Sequence, residues 1–68
     1  MTKQEAKVII ALANNKLSAR SAARSLNYHH NTIYYHKVKI LKATGLDPYD
    51  FFDMQKLLPI AEEVLQCS

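Results

Sequence analysis

Apolar residues recur every three or four positions along most of the chain, which is the spacing of a helix with one buried face. The pattern predicts a first helix over residues 3–14, with a capping box formed by Thr2 and Glu5 at its start. Its expected buried stripe consists of Ala6, Ile9, Ile10 and Ala13. A turn is expected at residues 14–16, because asparagine tolerates the left-handed conformation that ends helices.

The second helix has a thin apolar face, because three of its apolar residues are alanines. A second helix is predicted over residues 19–26, with Ser18 as its N-cap. Its apolar face consists of Ala19, Ala22, Ala23 and Leu26. After a turn at residues 27–29, a third helix is predicted over residues 30–44 and ends at Gly45, the only glycine of the chain. Its inward stripe is expected to hold Ile33, Ile40 and Ala43 or Thr44, with His36 or Lys37 between them.

The C-terminal third is predicted to restart with Asp47 as N-cap and Pro48 at the first helical position. That helix is expected over residues 48–58, because Pro59 cannot donate a backbone hydrogen bond and favours a break or sharp kink. A short last helix is expected over residues 60–65. The predicted core contains Ile9, Ala13, Ala23, Leu26, Ile33, Ile40, Leu46, Phe51 and Leu57.

These elements predict an all-α fold, namely a helix-turn-helix within a three-helix core, followed by one or two additional C-terminal helices. A chain of 68 residues is expected to form a single domain, residues 1–68, with a small core. Its apolar runs fall well short of the ~20 residues of a membrane span, so no membrane contact is expected. The single cysteine, Cys67, favours a reduced thiol and a cytoplasmic protein.

Charge is divided unevenly along the chain. Residues 1–45 contain eight basic residues and one acidic residue, whereas residues 46–68 contain one basic and five acidic residues. A basic part of the molecule suits a polyanion such as DNA. The alternative is a solvated surface whose two oppositely charged halves attract each other.

Three histidines and two tyrosines crowd the start of the third helix, in the segment HHNTIYYH at residues 29–36. His29 and His36 lie seven residues apart, ~10 Å along a helix, which is too far to share a metal ion within one chain. The sequence shows neither a nucleophile motif nor a glycine-rich phosphate loop beside them, and a small helical chain leaves little room for a pocket. We therefore expect no metal, no cofactor, no small-molecule ligand and no enzymatic activity.

Contact with nucleic acid is the remaining use of these side chains. The expected base-reading residues are His29, His30, Asn31, Tyr34 and Tyr35, whose polar groups can bond base edges in a major groove. The expected phosphate contacts are Arg20, Arg24, Thr32 and Lys39. In the alternative interpretation, Arg20 and Arg24 are only solvated, and Asn31 is a structural cap of the third helix.

A specific set of residues runs through this region: Ala22-Ala23, Leu26, His29, Asn31-Thr32-Ile33, Tyr35, Ile40 and the exit Thr44-Gly45-Leu46-Asp47-Pro48. With them, residues 18–52 resemble the C-terminal helix-turn-helix domain of the PucR-type regulators, the purine-catabolism and sugar-diacid activators. The resemblance implies a sequence-specific DNA-binding protein, a transcription regulator of bacterial or phage origin, with the helix over residues 30–44 in the major groove. It also implies that His29, Asn31, Thr32 and Tyr35 lie at the head of that helix.

Two features depart from the family pattern. The position of Lys37 is usually a buried leucine or isoleucine, and the position of Val38 is usually polar. Either the helix is rotated slightly, or Lys37 extends along the core with its amine outside. The domain normally ends a long regulator, whereas no sensory module precedes it here, so we expect a free-standing DNA-binding module.

Two further alternatives concern the partners. Helix-turn-helix domains also serve as protein-interaction adaptors without DNA binding, so an acidic protein is the alternative to double-stranded DNA. One small domain covers about one half-site, which favours a homodimer on DNA. We expect part of the apolar C-terminal segment to be exposed and to join two copies. The alternative is that all of this segment folds back onto helices 1 and 3.

Overall fold

The computed structural model describes residues 1–66, and this part of the chain forms four helices without a strand. α1 spans Lys3–Asn14, α2 spans Ala19–Leu26, α3 spans His30–Thr44 and α4 spans Phe51–Gln66. The predicted all-α class and the predicted bounds of the first three helices are confirmed. Cys67, the expected reduced thiol, lies outside the described residues.

α1 is the central element, because it packs against α2, α3 and α4. Neighbours on more than one side explain why α1 buries a wider surface than a single stripe. Val8 and Leu12, which the predicted stripe omits, are fully buried, whereas Ile10 and Ala13 are half-buried.

The predicted helix caps form as local hydrogen bonds. The hydroxyl of Thr2 accepts from the N–H of Glu5 at 3.1 Å, and the Glu5 carboxylate accepts from the N–H of Thr2 at 2.8 Å. Ser18 Oγ accepts from the N–H of Ser21 at 3.2 Å. Gly45 ends α3 with φ at 75°, a left-handed conformation that glycine adopts without a side-chain clash.

The turn between α1 and α2 differs from the expectation. Asn15 keeps a negative φ of −117°, and the left-handed residues are Lys16 and Leu17. The carboxamide of Asn15 instead donates to the carbonyl of Ala11 at 2.7 Å, so its side chain satisfies one of the last carbonyls of α1. The chain reverses over the two residues that follow.

The start of α4 is corrected by three residues. Asp47 and Pro48 do not begin the helix, because the Asp47 carboxylate accepts from the N–H of Tyr49 at 2.9 Å and forms a turn. Asp50 provides the cap, since its carboxylate accepts from the N–H of Asp53 at 3.0 Å. Asp53 in turn accepts from the N–H of Asp47 at 3.0 Å, which fastens the turn to the helix.

The predicted break at Pro59 is wrong, because α4 continues through it to Gln66. A proline inside a helix deprives the carbonyl four residues earlier, here that of Gln55, of its usual donor. Both Pro59 and Gln55 are exposed, so water can reach that carbonyl. On the other side of the helix, Leu57 and Ala61 are fully buried and hold both halves of α4 in the core.

The predicted core is largely confirmed. Ile9, Ala23, Ile33, Ile40 and Leu57 are buried, and Ala13, Leu26 and Leu46 are half-buried against them. Phe51 is the error, since its side chain is 60 % exposed. It is the first residue of α4 and lies outside the buried stripe of Met54, Leu57 and Ala61.

The inward stripe of α3 also needs correction at its end. Ile33 and Ile40 are buried with His36 between them, whereas Ala43 and Thr44 are exposed.

Part of the apolar C-terminal segment stays uncovered. Phe51, Phe52 and Ile60 are exposed, so the alternative in which the whole segment folds back onto the other helices is wrong. Over residues 1–66, none of the helices combines the length and apolar character needed to cross a membrane.

Candidate nucleic-acid interface

A tight turn sets the angle between α2 and α3. Asn27 takes the left-handed conformation, with φ at 61° and ψ at 38°, and its N–H donates to the carbonyl of Arg24 at 3.2 Å. The N–H of Tyr28 donates to the carbonyl of Ala23 at 2.7 Å. Asparagine is among the few residues other than glycine that adopt this conformation readily. The turn therefore ends α2 and allows α3 to begin three residues later.

His29 is the N-cap of α3. Its Nδ1 accepts a hydrogen bond from the N–H of Asn31 at 3.2 Å, and its ring stacks on that of His30 with centroids 4.4 Å apart. The alternative in which Asn31 caps the helix is wrong, because Asn31 is already the second helical residue. Within residues 1–66 its carboxamide makes no hydrogen bond, so it remains available to a ligand.

The open face of α3 carries the polar side chains that the sequence singled out. Ile33, His36 and Ile40 face the core, at helical spacing. The opposite side presents the exposed residues His30, Asn31, Tyr34, Tyr35 and Lys39. Tyr34 and Tyr35 are large side chains on this face, and each is 58 % exposed.

Two lysines hold the tyrosine rings of this face by cation–π contacts. The Nζ of Lys39 lies 5.2 Å from the ring centroid of Tyr35. The Nζ of Lys37 lies 5.6 Å from the ring of Tyr34 and 5.3 Å from that of Tyr49. Contacts of this kind contribute roughly 0.5–1 kcal/mol at exposed sites. They restrict the orientation of the tyrosines that would meet a ligand.

Lys37 lies at the boundary between the core and the surface. The residue is half-buried, and its amine lies against two aromatic rings. Its stem thus runs along the molecule while the charge stays at the surface. Beside it, burial together with the charge of Asp47 and the proximity of Tyr34 raises the pKa of Tyr49 above its usual 10.0.

His36 is the polar residue within the buried stripe of α3. It is almost fully buried, and its Nδ1 has no hydrogen-bond partner in the described part of the chain. Its ring meets that of Tyr35 edge-on, with centroids 5.4 Å apart. His36 therefore supports Tyr35 from below the open face.

Arg20 and Arg24 lie one helical turn apart on the exposed side of α2. In the structure of residues 1–66 neither guanidinium has a hydrogen bond or an ion pair. Both line an open depression of about 350 Å³ at the junction of α2 and α3. The depression is also lined by the turn residues Asn27, Tyr28 and His29 and by His30, the first residue of α3. Two unpaired positive charges thus stand beside the histidines that begin α3.

Of the nine residues singled out from the sequence, only Thr32 is not exposed. It is half-buried in the first turn of α3, where its N–H donates to the carbonyl of His29 at 2.9 Å. Two residues of the open face were missed, Val38 and Lys42. Both follow Tyr34 and Asn31 at multiples of three to four residues, so helical spacing could have identified them.

Metal binding receives no support from this arrangement. Among residues 1–66, no three histidine, cysteine, aspartate or glutamate side chains come close enough to hold a metal ion.

One comparison with known proteins gives a match. The family model of the PucR C-terminal helix-turn-helix domain matches residues 6–58, which include most of α1, all of α2 and α3, and the first half of α4. No curated protein and no solved structure matches the chain.

Proposed function

Because the chain belongs to the PucR C-terminal helix-turn-helix domain family, we propose that it binds double-stranded DNA in a sequence-specific manner and regulates transcription. In this proposal α3 enters the major groove and α2 crosses the phosphate backbone above it. A regulator of this kind would act in the bacterial cytoplasm, on the chromosome or on a phage genome.

The observation that carries the proposal is the free hydrogen-bonding capacity of one surface. The side chains of Asn31, Arg20 and Arg24 belong to exposed residues and make no hydrogen bond or ion pair with the rest of residues 1–66. A docking surface for a protein would favour larger buried anchors and apolar pockets at its centre. A polar, positively charged face along one helix matches the hydrogen-bonding edges of bases and the phosphates around them.

The roles within this surface follow from position. We propose that Asn31, near the start of α3, bonds an adenine through the oxygen and the nitrogen of its carboxamide; His30, Tyr34 and Tyr35 are exposed on the same face. His29 combines capping with contact, because its Nδ1 is used by the helix and its Nε2 remains for DNA. We assign phosphate contacts to Arg20, Arg24 and Lys39. The half-buried Thr32 would reach only the nearest phosphate.

Selection from a pool of random duplexes tests this function. The protein should enrich one short motif, and the Asn31→Ala variant should enrich a motif with a relaxed adenine position. Lys56→Ala, an exposed substitution on α4, serves as the matched control and should return the wild-type motif. A pool that shows no enrichment after repeated rounds would contradict the proposal and favour an adaptor function.

We further propose that two copies associate through the exposed start of α4. Phe51 and Phe52 are 60 % and 71 % exposed, and their rings meet edge-on at 5.7 Å. Beside them lies an apolar cleft of about 380 Å³, lined by Ala13, Lys16, Leu17, Phe51, Met54, Gln55 and Leu58. A phenylalanine from a second copy would fill this cleft, and its acidic neighbours Asp50 and Asp53 would approach Lys16. Such a contact is self-complementary, as a twofold dimer requires.

Sedimentation at tens of micromolar tests the dimer. The wild-type chain should sediment as a dimer, and Phe52→Glu should convert it to a monomer. Tyr34→Ala is the control on the open face of α3 and should leave the dimer intact. A wild-type monomer both with and without DNA would overturn the dimer and leave the DNA-binding proposal untouched.

A further inference from the structure

Val38 is the apolar residue at the centre of the open face of α3. It follows Asn31 by seven residues and Tyr34 by four, so the three side chains project in similar directions. Val38 is half-buried, yet it is absent from the apolar side chains that pack against the core. Val38 is therefore not one of the side chains that build the core.

The residues around Val38 are polar and held in place. Lys37 and Lys39, its two chain neighbours, lie against the rings of Tyr34 and Tyr35. The exposed Lys42 follows one turn later. Val38 is thus a small apolar spot between two ordered tyrosine–lysine pairs, too small to anchor a protein partner and well suited to one methyl group.

The major groove of DNA offers one apolar feature, the C5 methyl group of thymine. Valine makes no hydrogen bond through its side chain, so it can distinguish bases only by contact with that methyl group. Resting on the DNA-binding function proposed above, we propose that Val38 contacts the C5 methyl of a thymine and makes that position of the site specific for thymine.

The spacing along α3 predicts where the thymine lies. Seven residues span ~10 Å of helix at ~1.5 Å per residue. At ~3.4 Å per base pair this is about three base pairs. The thymine should therefore lie about three base pairs from the adenine assigned to Asn31.

Replacing single thymines by deoxyuridine removes only the methyl group and tests the contact on the unaltered protein. At one position of the selected site, about three base pairs from the adenine, the wild-type Kd should rise about fourfold, the loss of one buried methylene-sized group (~0.8 kcal/mol). The Val38→Ala variant should bind the thymine and deoxyuridine duplexes equally. Lys56→Ala, an exposed substitution on α4, is the control, and it should keep the full fourfold difference.

Each outcome has a separate meaning. Equal wild-type binding to thymine and deoxyuridine at every position would overturn the proposal, as would a Val38→Ala variant that still distinguishes the two duplexes. A selected site without a thymine at that distance would also overturn it. In all three cases the protein still binds DNA, so the proposed function stands. If the protein binds no duplex at all, the proposed function fails and the contact fails with it.

Discussion

His29 and Asn31 divide two tasks at the start of α3. The Nδ1 of His29 accepts the hydrogen bond from the N–H of Asn31 and so completes the helix terminus, at 3.2 Å. The carboxamide of Asn31 keeps its own donors and acceptor free within the described residues. In the proposed function His29 both caps the helix and contacts DNA, whereas Asn31 only contacts DNA, so substitution of Asn31 tests recognition without removing a cap.

Asn31→Ala should lower the discrimination between the selected site and a site changed at the adenine by about 1–3 kcal/mol. The loss is expected because the alanine methyl cannot replace a bidentate hydrogen bond to a base. Competition binding with the two duplexes measures it. The Tm should stay near the wild-type value, since Asn31 does not cap the helix.

His29→Ala provides the comparison for stability, because it removes the side chain that caps α3. Loss of a capping side chain typically costs about 0.5–2 kcal/mol of unfolding free energy. His29→Ser should restore most of it, because serine is a favoured cap. A lower Tm for Asn31→Ala, together with an unchanged site preference, would instead give Asn31 a structural role.

Arg24→Ala should weaken binding to every duplex by a similar factor. A phosphate contact carries no sequence information, and its removal releases about one counterion fewer per complex. The slope of log Kd against log salt concentration should therefore decrease by about 1. A change confined to one sequence would show that Arg24 contacts a base rather than a phosphate.

Leu57→Ala should destabilise the fold by about 2–5 kcal/mol, because the side chain is fully buried between α4 and α1. Ile60→Ala removes a similar side chain that is 41 % exposed on the same helix, and it should cost less than about 1 kcal/mol. Urea denaturation of both variants measures the difference. Equal losses would mean that α4 is rotated or broken at Pro59, between the two residues.

Acid should remove a part of the stability that comes from Glu5. Burial alone would raise the pKa of this carboxylate, but hydrogen bonds with Thr2 and the positive charges of the N-terminus and Lys39 outweigh burial and lower the pKa below its usual 4.5. A lowered folded-state pKa means that the contribution is fully present above pH ~4.5 and is lost as the pH falls through the folded-state value.

Glu5→Gln keeps the capping geometry and removes the titration. Thermal unfolding from pH 6 to pH 3 should therefore show a steeper loss of Tm in the wild-type chain than in the variant. Parallel curves would contradict the assigned role of the Glu5 charge.

Three of the helix caps could be predicted from sequence because their hydrogen bonds connect residues three or four positions apart. Thr2 with Glu5, Ser18 and Gly45 need no knowledge of the distant chain. The open face of α3 was likewise predictable from helical spacing around Ile33 and Ile40. The capping side chain of α3 was not predictable from residue type, since asparagine is a favoured cap and histidine is not, yet His29 caps the helix.

The wrong predictions concern residues whose structure depends on contacts beyond their immediate neighbours in the chain. Pro59 breaks an isolated helix, but Leu57 and Ala61 are buried on both sides of it and keep α4 continuous. By residue type, Asp47 and Asp50 are equally favourable caps for α4. The hydrogen bond from the N–H of Asp47 to the carboxylate of Asp53 holds Asp47 in the turn and leaves Asp50 as the cap. Val8 and Leu12 are buried because α1 has three helical neighbours, which no single-helix pattern encodes.

The open face of α3 is proposed to bind DNA in a sequence-specific manner. Fluorescence anisotropy tests this most directly, by measuring the Kd for the selected duplex at a series of salt concentrations. The wild-type chain should bind that duplex far more tightly than a scrambled one, and log Kd should rise linearly with log salt. Asn31→Ala should reduce the difference between the duplexes and leave the salt slope unchanged. Equal binding of both duplexes, or no binding at 50 mM salt, would contradict the claim.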